Sequence, residues 1–103
     1  MVLYSSQALN DFDIIFEGLL HWEKIKLSEQ FTIDYVNDIK TECEKIPYKS
    51  YHENTTYKTH KLHGQKVHRY HRNPHTTWYI LYDMDTKGTV FVNRIISNYT
   101  TVE

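Results

Sequence analysis

The apolar residues of this chain repeat with a helical period before Gly64 and with a strand-like period after it, and that switch restricts the folds open to it. From residue 8 to about 26, Leu9, Phe12, Phe16, Leu19 and Leu20 recur at three- and four-residue steps, the spacing of one helix face, with Ser5 or Ser6 placed to cap it. Asp11, Asp13 and Glu17 fall early in that helix, where its dipole favours anions. A second helix follows a Ser28 cap, carries Phe31, Tyr35, Ile39, Cys43 and Ile46 as its apolar stripe, and stops at Pro47. The short link between them predicts an antiparallel helical hairpin.

Beyond Gly64, residues 66–72 alternate as one strand, Asn73-Pro74-His75 reads as a turn, and residues 77–82 (TWYILY) form a second strand. Residues 83–88 connect it to a third strand over 89–96 (TVFVNRII). Residues 1–4 make a short edge strand, and 48–64 are a polar loop with room for a short extended piece. The expected fold is a single α+β domain over residues 1–103, ordered β-α-α-β-β-β. Its helical hairpin packs on one face of a largely antiparallel sheet and leaves the other face open.

Composition narrows the setting. At 103 residues the chain supports one modest core, and the absence of a long apolar run excludes a helical membrane span. Cys43 is the lone cysteine, a small core residue by expectation, and the N-terminal residues lack the pattern of a secretory signal. Both point to a cytoplasmic protein. The near-neutral total hides a division of charge. Residues 52–75 hold six of the seven histidines and sum to +4, whereas residues 1–51 sum to −4. Imidazoles set among fixed cations and tyrosines suit phosphate binding, proton transfer and stacking on unpaired bases.

His60, His63, His68 and His71 form two H-x-x-H pairs, which invite a zinc reading. On a strand, residues three apart point to opposite faces, so each pair would be split, and Lys61, Lys66, Arg69 and Arg72 would oppose a dication. No metal and no cofactor is expected. With Pro74 and His75 at the hairpin tip, Arg72 pairs with Thr77, Tyr70 with Tyr79 and His68 with Leu81. His68, Tyr70, Arg72 and Tyr79 then share the open face, while Val67, Trp78, Ile80 and Tyr82 pack on the helices. A one-residue slip would exchange His68 and Arg72 for Arg69 and His71.

Several strings, taken in order, resemble the RelE/ParE superfamily of type II toxins. Tyr4-Ser5-Ser6-Gln7-Ala8-Leu9-Asn10-Asp11 is similar to the family's opening Y-S-x-x-A-x-x-D pattern. Phe31, Tyr35 and Ile39 resemble its second-helix stripe, and Lys61-Leu62-His63-Gly64 its K-x-L-x-G-like string with a shorter spacing. Ile80-Leu81-Tyr82-Asp83 and the strand Val90-Phe91-Val92-Asn93-Arg94-Ile95 follow in the family's order.

The resemblance spans nearly the whole chain and implies one of two activities, ribosome-dependent cleavage of mRNA by attack of a 2′-OH on the adjacent phosphate, or non-enzymatic inhibition of DNA gyrase. A degenerate member that only binds its antitoxin is a third possibility. In all three a cognate antitoxin is implied as partner, and no membrane. For cleavage, the expected catalytic residues are His68, Arg72 and Tyr99, with His71 and Arg69 as their counterparts in the slipped register. Lys58, Lys61, Lys66, Arg69, Tyr70, His71, Tyr79 and Arg94 are expected to bind RNA. Two positions at which related ribonucleases carry arginine and histidine hold Tyr79 and Asn98 here.

Overall fold

A computed structural model describes residues 1–21 and 28–99. The elements run β1 (Val2–Tyr4), α1 (Ser6–Leu20), α2 (Glu29–Lys45), a 3₁₀ turn (Ile46–Tyr48), β2 (Glu53–Asn54), α3 (Lys58–Lys61), β3 (Lys66–Asn73), β4 (Thr76–Met84) and β5 (Val90–Ser97). They form the expected α+β layout, with the sheet ordered β1-β5-β4-β3-β2. β1 lies parallel to β5 and the other pairings are antiparallel. The stretch of the first helix expected beyond residue 21 lies outside the described residues.

Local chemistry sets the helix starts. The Ser5 side chain accepts from the Ala8 amide and the Ser28 side chain from the Phe31 amide, each satisfying a donor that the first helical turn leaves unpaired. Pro47 sits inside the 3₁₀ turn that closes α2, where its missing N–H costs little. Between the helices and the sheet lies a core containing Ala8, Phe12, Val36, Ile39, Cys43, Ile46, Ile80, Tyr82, Val90, Val92 and Ile95. Cys43 is buried there, as expected. Phe31 is not: it is 43% exposed, and Thr32 and Val36 turn inward beside Ile39.

The hairpin register differs from the expectation by one residue. His68 pairs with Ile80, Arg69 with Tyr79, Tyr70 with Trp78 and His71 with Thr77, and a shift between His71 and Asn73 absorbs the difference near the turn. Because side chains alternate, this moves His68, Tyr70 and Arg72 onto the helix side and Val67, Arg69 and His71 onto the far side. Burial decides between the two registers. Ile80 and Tyr82 must meet the helices, and Val67 instead pairs with Leu81, both buried outside the helix-side core.

The far face is therefore not bare. His60 on α3 packs against Tyr79 at 4.7 Å between ring centroids, and Tyr57 lies against both rings. Thr55 donates from its hydroxyl to the Gly64 carbonyl, and Asn93 donates from its amide to the His63 carbonyl and to Asp83. Gly64 comes so close to β4 that a Cβ there would lie 2.8 Å from the Tyr82 nitrogen.

Candidate nucleic-acid interface

Basic residues brought to the far face form a small surface with aromatic backing. Arg69 projects from β3 with its guanidinium 5.8 Å from the centre of the Tyr79 ring. Its Nε and Nη2 donate to one oxygen of Glu53 on β2, at 3.1 and 2.7 Å. One carboxylate oxygen takes both bonds, and the pair is about one-third exposed, so the guanidinium is oriented yet still reachable from solvent. Two residues along the strand, His71 is exposed, and its Nδ1 meets the Thr77 hydroxyl at 2.9 Å. Its Nε2 has no hydrogen-bond partner among the described residues. Lys58 and Lys61 are carried by α3, the helix laid over this face, and both are exposed.

His68 and Arg72, expected on that face, are held by α2 instead. The Lys49 ammonium, which can only donate, lies 2.9 Å from His68 Nδ1, so the imidazole proton sits on Nε2 and is donated to Glu42 at 3.0 Å. Burial lowers the pKa of His68; the hydrogen bond to Glu42 opposes that and the Lys49 charge reinforces it. Burial also lowers the pKa of Lys49, against the pull of Glu53 and Glu42. Arg72 lies over the Tyr35 ring at 4.3 Å, donates to Asp38, and donates to the Tyr70 hydroxyl at 3.1 Å. Tyr70 thus belongs to the packing between β3 and α2. The hydrogen-bonded carboxylates of α2 leave neither His68 nor Arg72 on the RNA-facing side predicted for them.

The other expected residues separate as well. Lys66 donates to the Asn54 side chain at 2.6 Å, which ties β3 to β2. Arg94 is paired with Asp11 of α1, Nε donating at 2.8 Å and Nη2 at 3.2 Å. Tyr99, 70% exposed, donates from its hydroxyl to the His75 carbonyl at the β3–β4 tip. Sequence reasoning therefore placed Arg69, His71 and Tyr79 together only through its slipped register. It missed Glu53, Lys49 and Glu42, whose roles arise from long-range contacts. The dipole role assigned to Asp11 is also replaced: its carboxylate receives Arg94 and the Ile95 amide at 2.9 Å. A charge three residues after Ala8, on the face that carries Phe12 and Ile15, was the available signal.

The first H-x-x-H histidines are on α3 and just beyond it, and the second pair is split across the sheet, His68 toward α2 and His71 away from it. Within the described residues, no helix is long and apolar enough to cross a membrane. No protein-family model matches the chain, and no match is found among curated proteins or solved structures.

Proposed function

We propose that this protein is a RelE/ParE-type toxin whose far sheet face binds RNA and cleaves it, acting on mRNA during translation and restrained by a cognate antitoxin. The observation that carries this reading is the juxtaposition of Arg69, His71 and Tyr79 on one face, with acidic side chains of α2 turned to the other side of the sheet. Arg69 supplies a planar donor for a phosphate, Tyr79 and Tyr57 supply ring surfaces beside it, and Lys61 adds an exposed cation.

In the reaction, His71 accepts the proton of a 2′-OH through Nε2. The 2′-oxygen bonds to the adjacent phosphorus, Arg69 stabilises the added negative charge, and the bond to the 5′-oxygen breaks. The leaving oxygen takes its proton from water, and a 2′,3′-cyclic phosphate remains. His68 and Arg72 enter this scheme only as residues that position β3 against α2.

Primer extension on translated mRNA tests the assignment. The double variant Arg69→Ala, His71→Ala is expected to abolish cleavage while retaining the fold by circular dichroism; unchanged cleavage would refute it. A second reading, non-enzymatic inhibition of DNA gyrase, is favoured by the engagement of His68 and Arg72 with α2, which leaves His71 as the only histidine of β3 on the far face. Inhibition of supercoiling by the purified protein, with translated mRNA left intact, would select that reading.

A further inference from the structure

A cleft of about 570 Å³ lies between α1 and the C-terminal half of β5. It has a structural cause. β1 pairs with β5 only from Val90 to Val92, so α1 rather than a strand flanks the rest of β5. Gly18 brings no side chain to the space, and a Cβ built there meets nothing within 4 Å. Ile14, Leu19 and Ile96 give apolar walls, and the volume is that of a small-molecule site.

One part of the lining is polar without being charged overall. Arg94 and Asp11 neutralise one another, and Arg94 spends Nε and Nη2 on that pair, so its Nη1 hydrogens have no partner among the described residues. Beside them, burial and the Arg94 charge lower the His63 pKa against the pull of Asp11, which favours the neutral ring with one N–H to donate. Thr59 also lines the cleft, and its buried hydroxyl oxygen has no hydrogen-bond partner among the described residues. An unpaired buried hydroxyl is costly, so a ligand oxygen that pairs with it gains more than an average hydrogen bond.

We propose that this cleft binds an uncharged acyl compound, an amide or ester with an alkyl chain, whose chain lies on Ile14, Leu19 and Ile96 and whose carbonyl oxygen accepts from Arg94, His63 and Thr59. A free carboxylic acid is disfavoured because its carboxylate would meet Asp11 beside the same donors. The site is separate from the Arg69–His71 surface, and the inference does not depend on the RNA reading.

Octanamide is a suitable probe, titrated into the isotope-labelled full chain and followed by NMR. Saturable shifts are expected at Ile14, Ile96 and His63, with octanoate binding about tenfold more weakly. Gly18→Leu fills the cleft from an exposed helical position and should abolish the saturable shifts while circular dichroism and the unfolding midpoint are kept or improved. Thr59→Val preserves shape and should weaken octanamide at least about tenfold, more than the loss of an average hydrogen bond, because the ligand no longer satisfies a buried hydroxyl. The proposal is overturned if octanamide gives no saturable shifts, if octanoate binds equally well, or if folded Gly18→Leu binds octanamide like the unaltered protein.

Discussion

Replacing Asp11 with alanine probes the contact that fastens α1 to the far end of the sheet. The Asp11 side chain is 8% exposed and accepts three hydrogen bonds, two from Arg94 and one from the Ile95 amide. Ile95 is itself 3% exposed, so its amide would be left buried without a partner, at a cost of about 1–3 kcal/mol. Arg94 is 29% exposed and recovers part of its hydration, which holds the cost of its lost partner to about 1 kcal/mol, below that of a fully buried pair. The sum is about 3 kcal/mol, or ~12 °C in the melting midpoint of a domain this size. Asp11→Asn keeps an acceptor for the Ile95 amide and should lose only about 1 kcal/mol. Urea unfolding at low and high salt measures both, and most of the alanine effect should survive salt because the lost amide bond is buried. A loss below about 1 kcal/mol for Asp11→Ala would mean that the Ile95 amide does not depend on this carboxylate.

Glycine positions give a contrasting pair: Gly64→Ala drives a Cβ to within 2.9 Å of the Tyr82 carbonyl oxygen and should cost about 2–3 kcal/mol, whereas Gly18→Ala meets open space and should gain about 0.5–1 kcal/mol in urea denaturation. Acidification should destabilise the fold. The folded pKa values of His68 and His63 are lowered by burial, so the unfolded chain takes up protons first. Stability held above about pH 6.5 is lost as pH falls, until the folded imidazoles protonate as well. Unfolding midpoints across that range should show His68→Gln losing less than the unaltered protein. If the far face binds RNA through phosphates, Arg69→Glu should weaken binding and reduce the salt slope by about one, read by fluorescence anisotropy.

Much of the architecture was legible because it rests on local signals. Ser5 and Ser28 are caps by their chemistry, Pro47 ends α2 through its missing amide hydrogen, and the alternation after Gly64 cannot be housed in a helix. Cys43 and Ile39 lie in the core because they share a helical stripe. The short β2 and α3 were less legible, since each is held by distant partners: Glu53 by Val67 and Arg69, and His60 by Tyr79.

The candidate site was legible only in composition. Six histidines and a +4 charge fall in residues 52–75, a segment that leads into a hairpin, and both are readable from local pattern. Which of those groups face together depends on how the strands pair and on what the helices cover. A strand alternates with every residue, so the one-residue difference in register was enough to send His68 and Arg72 to the acids of α2 and to leave Arg69 and His71 on the far face. That choice follows from the burial of Ile80 and Tyr82 against helices distant in the chain, a long-range energy that no local pattern encodes.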